Sequence, residues 1–461
     1  MKNLFVASPF FFLPLLPCFA QTAAAPKLSA PVQLITLDPG HFHAALVQKS
    51  MYKNVDPTVH VYAPGGSDLQ QHLARVTAYN TRAEAPTHWQ QQVYTGPDFF
   101  AKMLAEKAGN VVVVAGNNQK KTEYIAQSLQ AGFNVLADKP MCINSKEFKT
   151  LESAFATAKK KDLLLYDIMT ERFEIPTILQ KELTLMPTVF GTLEKGTPQN
   201  PAVIKESTHC FYKNVSGSVL TRPAWFMDVT QEGEGLVDVT THLVDLVQWE
   251  CFPGRALDYK KDIQVLSAKR WATPMSLSQF KAITKQSSFP DYLKKDLVND
   301  SLLKVYSNGT ISYKLLGVHA QVSVTWAYKA PDGAGDTHYS LMRGTKANLI
   351  IRQGATQQYK PTLYIEPRAG DAAYEKGLQQ DIKKLQAKYP GVALKKVDNG
   401  WEVLIPDSYR EGHEAHFARV TEHYLEYLEK RNMPSWEVPN MLAKYYTTTK
   451  ALEIATESPK Q

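Results

Sequence analysis

The stretch "NVVVVAGNNQKKTEYIAQSLQAGFNVLAD", residues 110–138, constrains the fold of this 461-residue chain more than any other. Its four consecutive valines offer no polar face, so they read as a strand buried on both sides. A helical segment follows, and "NVLAD" reads as the next strand. Two buried strands joined by a helix run parallel through a right-handed crossover. The alternation extends upstream. "VQLITL" and "TVHVYA" read as strands, "HFHAALVQKSMY" as a helix after a tight Asp-Pro-Gly turn, and "DLQQHLARVTAY" and "PDFFAKMLAEK" as further helices. The expected architecture is a parallel sheet with helices on both faces.

From about residue 186 the texture changes. "SVLTRPAWFMD", "LLKVYSNGTISYKLLG", "AQVSVTWAYKA" and "ANLIIRQG" read as strands joined by turn signals, among them Asn308-Gly309, which predicts a mostly antiparallel sheet. "HEAHFARVTEHYLEYLEKR" and "NMLAKYYTTTKALEIAT" predict two closing amphipathic helices. The chain is too long for one ordinary core. Residues 31–165 are therefore expected to form a nucleotide-type α/β domain and residues 166–455 an α+β domain with a large sheet.

Residues 1–20, "MKNLFVASPFFFLPLLPCFA", carry one lysine and then an apolar run too short and too broken by proline to span a bilayer, so they read as a cleaved secretory signal. A lipoprotein centred on Cys18 ranks second, because Pro17 stands where that signal wants a small residue. Export to the periplasm is the expectation, with no later membrane span. The net charge of +7 is spread along the chain apart from short groups such as Lys159–Lys161, which argues against a nucleic-acid partner. Cys142, Cys210 and Cys251 lack metal-ligand spacing and read as small buried hydrophobes. His413 and His416 lie three apart on a helix without an evident third ligand, so they read as a solvated face and no metal is expected.

Two segments carry chemistry. In "LDPGHFHAA" the turn after the first strand holds Gly40, but Asp38 and His43 stand where a dinucleotide loop wants its other glycines. His41 and His43 are candidates to bind phosphate or substrate, or to brace the turn. The second strand ends in Tyr62, Ala63 and Pro64, without a carboxylate for a ribose hydroxyl. In "EGEGLVDVTTHLVD", residues 232–245, helical spacing places Asp238 and His242 on one face with Asp245 beside them, on a helix otherwise apolar all round. A buried helix with three ionisable groups is either a satisfied core network or a site.

"VVVVAGNNQKKTEYIAQSLQAGFNVLADKP", with "YDIMTERFEIP" and the opening helix, resembles the glucose-fructose oxidoreductase, inositol dehydrogenase and rhizopine-catabolism (Gfo/Idh/MocA) family. Gly116, Asn117 and Asn118 match the family's Pro-Asn strand end, and Asp138, Lys139 and Pro140 its Glu-Lys-Pro. Gly233, Gly235, Asp238 and His242 match its Gly-Gly, Asp, three residues, His pattern, and "LMRGTKANL" its glycine hairpin. Asp138 departs from the usual glutamate, and Lys121 stands where many members carry histidine. The "DPGHFHAAL" loop suggests an exported bacterial subgroup.

The resemblance implies a Rossmann-type dinucleotide-binding domain followed by a substrate and oligomerisation domain. The expected activity is NAD(P)-dependent oxidation of a ring hydroxyl of a sugar or glycoside to a ketone. It implies Lys139, His242 and Asp238 as catalytic, with His242 the base and Lys139 holding the reacting oxygen. Gly40, His41, Phe42, Asn117, Asn118, Asp138 and Lys139 are implied to bind the cofactor, and Arg172, Trp225, Asp228 and Asp238 the substrate, with Glu171 helping to shape the site. NAD is slightly favoured over NADP, and outside the cytoplasm it is expected to be held tightly. Asp245 is expected to be structural. Val322, Val324 and Trp326 share a strand face of the kind relatives bury between subunits, so a homodimer or homotetramer is expected. The alternatives are a redox-neutral glycoside hydrolase working through transient C3 oxidation and elimination, and a sugar-binding protein on a decayed dehydrogenase fold.

Overall fold

The structure is a computed structural model that describes Met1 and residues 31–215, 218–331 and 334–457. The expected signal segment lies outside the described residues. Among the described residues no helix is long and apolar enough to cross a membrane.

The first sheet contains β1 (Leu34–Leu37), β2 (Thr58–Ala63), β3 (Gln90–Thr95), β4 (Val111–Val114), β5 (Asn134–Asp138) and β6 (Leu165–Ile168), in the order β3-β2-β1-β4-β5-β6. Every pairing is parallel. β1 and β4 are buried at every position, as strands covered on both faces must be. Strand order reverses between β1 and β4, and ligands of such sheets bind at the carboxyl ends beside that reversal. β3 escaped the sequence because it is a mostly exposed, glutamine-rich edge with no apolar run. The helix expected over residues 41–52 shrinks to His43–Leu46. Beyond it the chain turns inward, with Gln48 donating to Thr36 Oγ1 at 3.2 Å and Tyr52 to the Val47 carbonyl at 2.9 Å.

The second sheet has ten strands and is antiparallel except where Val203–Tyr212 runs parallel to Val318–Lys329. Two sequence expectations fail here. "SVLTRPAWFMD" is not a strand beyond Ser218–Val219, because after Pro223 it winds into a short 3-10 helix, Ala224–Met227. Asn308-Gly309 is not a turn but lies inside the continuous strand Leu302–Leu315. The Asn308 side chain donates to the Trp271 carbonyl and Thr273 Oγ1 and accepts from the Trp326 N–H, while a Cβ on Gly309 would lie 2.4 Å from Leu236. The pair therefore joins neighbouring strands and lets the turn that carries Leu236 approach.

Val322, Val324 and Trp326 are all buried within the chain itself. The face expected to be covered by a second subunit is covered internally. The last helix, Glu437–Glu457, also departs from expectation. It is not amphipathic: Met441 and Tyr445 enter the core around the first sheet, and Ala443 and Ala451 the core around the second.

Candidate active site

The turns after β1 and β4 touch at the strand-order reversal. A Cβ on Gly116 would lie 2.1 Å from the Asp38 carbonyl, so only glycine permits this approach. Asp38 adopts φ +45° and accepts from the Tyr124 hydroxyl at 3.0 Å, which accounts for aspartate where a loop glycine was expected. Gly40 is closely covered: its Cβ would lie 3.0 Å from the Trp225 ring and 3.3 Å from Asp68 Oδ2. Trp225 donates to that same Asp68 oxygen at 2.8 Å. The His41 N–H is taken by the Ala115 carbonyl at 3.2 Å. The helix that follows has only four residues, so it offers a pyrophosphate little of a helix N-terminus.

At the ends of β4 and β5 the residues fit a nicotinamide better. Asn117 Nδ2 donates to Gln231 Oε1 at 2.7 Å, and Asn118 Nδ2 to the Glu232 carbonyl at 2.6 Å and to Glu232 Oε2 at 3.1 Å. Asn118 Oδ1 is buried without a partner, an acceptor suited to a carboxamide N–H. Burial, reinforced by Asp238, raises the Glu232 carboxyl well above the ordinary range.

Two glycines bring Asp238 to β5. Gly233 has φ +100°, and a Cβ on Gly235 would lie 2.0 Å from the Ser307 carbonyl, so the segment lies flat against the strand Leu302–Leu315. Asp238 then forms a buried ion pair with Lys139. Burial opposes both charges, but each partner outweighs it: the Lys139 ammonium is raised and the Asp238 carboxyl lowered. His242 lies one turn on, in the helix Thr240–Cys251. Burial first, and then the Lys139 charge, pushes its imidazole down to about 4, and its Nδ1 is buried without a partner.

Asp245 faces the other way. It pairs with both Arg172 Nε and Nη2, at 2.6 and 2.7 Å, and with Lys444 at 3.0 Å. Arg172 also binds Glu437 at 3.1 Å, and Lys444 binds Asp167 at 2.6 Å. The guanidinium expected to meet substrate is thus consumed by a buried network, although Glu171 beside it reaches the cleft. The two other expected substrate contacts are also engaged elsewhere. Trp225 packs over Gly40, and Asp228, buried, accepts from Thr230, Gln231 and Lys295.

Lys139, Asp238 and His242 open onto a cleft of about 910 Å³, with His41, Phe42 and His43 on the same wall. The wall from the second sheet holds residues that the sequence reading passed over. Ser207 Oγ lies 2.9 Å from His209 Nε2, and His209 Nδ1 lies 3.0 Å from Asp336. Period-two spacing of Ser207 and His209 on one strand was the available signal. Of the two histidines expected on a solvated face, His413 is exposed but His416 is buried. His413 lines the cleft near Glu171, and His416 is buried with Nδ1 3.6 Å from Glu174. Burial, reinforced by Glu171, lifts the Glu174 carboxyl to about 8.

The oxidoreductase family with an NAD-binding Rossmann fold, GFO/IDH/MocA, matches residues 40–166, and an oxidoreductase C-terminal domain family matches residues 179–456. A crystal structure from Parabacteroides merdae, assigned as an oxidoreductase, is 58% identical, covers 94% of this chain and 99% of its own, and superposes with a TM-score of 0.91. The chain belongs to the Gfo/Idh/MocA oxidoreductases. As a member it is an NAD(P)-dependent oxidoreductase. More distant structures share the fold. Levoglucosan dehydrogenase, in complex with NADH and levoglucosan, is 11% identical over 93% of this chain and 98% of its own, with a TM-score of 0.59. KijD10, a 3-ketoreductase from Actinomadura kijaniata with NADP and TDP-benzene, is 14% identical over 92% of this chain and 97% of its own, with a TM-score of 0.56. No curated protein matches the chain.

Proposed function

We propose that this member oxidises a ring hydroxyl of a sugar or glycoside to a ketone. The observation that carries the reading is the buried Lys139–Asp238 ion pair with a neutral, unpartnered His242 one helical turn on, all facing one cleft. The Lys139 ammonium, kept charged by Asp238, holds the reacting oxygen and stabilises alkoxide character as the O–H proton leaves. His242 takes that proton. Bound NAD(P) supplies the hydride acceptor. Asn117 and Asn118 hold its nicotinamide end beside Lys139, while Gly40, His41 and Phe42 line its approach. NAD is slightly favoured.

The protein acts after export, where free nicotinamide cofactor is scarce, so it keeps its NAD(P) tightly bound and restores it within the site. A homodimer or homotetramer completes the reading, formed through a face other than the internally covered Val322, Val324 and Trp326. Light scattering that finds only a monomer at micromolar concentration contradicts that part.

The test is to purify the protein without added nucleotide, identify any small molecule released on denaturation by mass spectrometry, and incubate the protein with a panel of glycosides. Released NAD or NADP and keto-sugar products are expected. Free sugars without keto-sugars would instead establish the redox-neutral hydrolytic course. No nucleotide, no product and only weak NAD and NADP binding would overturn the reading.

A further inference from the structure

We propose that His41, His43 and Asp138 form a binding site for one divalent transition-metal ion at the base of the cleft. The three side chains converge: His43 Nδ1 lies 2.9 Å and His41 Nδ1 3.4 Å from Asp138 Oδ2, and one ligand atom from each residue falls within 4.8 Å of the others. Zinc-type bonds of roughly 2.1 Å place neighbouring ligand atoms about 3.0 Å apart in octahedral and about 3.4 Å apart in tetrahedral geometry, so both imidazoles stand at ligand spacing from Asp138 Oδ2. The His43–Asp138 contact also suits a hydrogen bond, but a hydrogen bond there does not complete the cluster. His41 Nδ1 and Asp138 Oδ1 are both buried without a hydrogen-bond partner, and Asp138 is only 2% exposed. A bound ion gives His41 Nδ1 the partner it lacks.

The surrounding charges leave the carboxylate available. Lys139 is paired with Asp238, Lys121 Nζ donates to the backbone carbonyl of Asp138 at 3.1 Å, and Arg222 donates to the Phe211 and Cys210 carbonyls while lying over the Phe226 and Trp326 rings. Two imidazoles and one carboxylate suit zinc, iron, cobalt or manganese rather than magnesium or calcium. His41 and His43 also line the cleft. The ion's remaining positions face it and accept water or a substrate oxygen, drawing electron density from that oxygen next to Lys139. Asp138 thereby becomes a metal ligand instead of a cofactor contact. The site rests on its own geometry and does not depend on which substrate the enzyme takes.

The full chain, stripped with chelator, is incubated separately with Zn²⁺, Co²⁺, Fe²⁺ under anaerobic conditions and Mn²⁺, desalted, and analysed for metal by mass spectrometry. At least one of the four ions is expected to remain at about one equivalent per chain. His43→Ala and Asp138→Asn are expected to lose it, while His423→Ala, on the exposed side of its helix, keeps it. Substoichiometric retention of all four ions by the wild-type chain overturns the proposal. A full equivalent in either folded ligand variant does the same, because the ion then sits elsewhere. If both variants fail to fold, the visible absorption of the Co²⁺-loaded wild-type chain decides. Bands distinct from the aqueous ion that disappear on adding Zn²⁺ support the site, and an aqueous spectrum contradicts it.

Discussion

One short segment supplies two charged clusters with opposite fates. Asp245 enters a closed network in which Arg172, Lys444, Asp167, Glu437 and Tyr445 share buried hydrogen bonds and ion pairs. Asp238 and His242, less than two turns earlier, face a cleft and leave His242 Nδ1 unpartnered. Buried polar groups are ordinarily satisfied, so the closed cluster reads as structure and the open one as a place where a ligand completes the bonding. The carboxylates have similar burial, and what separates them is whether their partners are already spent.

The largest expected effect falls on the open cluster. Lys139→Met should lower turnover on the substrate found in the glycoside panel by ~10²–10⁴-fold, with thermal unfolding close to wild type. Near wild-type turnover would remove Lys139 from the chemistry. The closed cluster should respond in the other observable. Asp245→Ala strips one carboxylate from two buried cations and should cost about 3–5 kcal/mol in denaturant unfolding. A cost below about 1 kcal/mol would show that Glu437 and Asp167 hold Arg172 and Lys444 alone.

Acid should separate the clusters more subtly. His242 is depressed to about 4, so it stays neutral as pH falls through the ordinary histidine range, and turnover should persist below pH 6 and fall only towards 4. Arg172 and Lys444 overcome burial and hold the Asp245 carboxyl below its ordinary value. Its contribution to stability is therefore complete above about pH 4 and is lost as pH falls from there towards the folded-state value. Asp245→Asn should flatten the acid limb of the stability curve. An activity limb near 6.5 would contradict the environment assigned to His242. The smallest effect belongs to the closed cover over Gly40: Trp225→Phe removes the hydrogen bond to Asp68 and should cost about 1 kcal/mol.

The sequence revealed the parallel sheet because β1 and β4 are buried on both faces and contain nothing else to confuse the pattern. It also singled out Lys139, Asp238 and His242, which the structure brings to one cleft, because a family motif falls on them. What stayed hidden depended on long-range partners. Arg172 reads as a site residue until Asp245 and Glu437, 73 and 265 positions away, are seen to consume it. Asn308-Gly309 reads as a turn until Leu236 is seen against Gly309. His416 reads as exposed until its helix is packed against the first domain.

In the proposed mechanism the helix Thr240–Cys251 carries the base His242 at its start and the structural Asp245 further along. The direct test is His242→Ala, with turnover and thermal unfolding measured on the same preparation beside wild type. Turnover is predicted to fall by ~10²–10⁴-fold while the unfolding midpoint stays near wild type. Wild-type turnover, or a loss accompanied by a matching loss of folded protein, would contradict the separation.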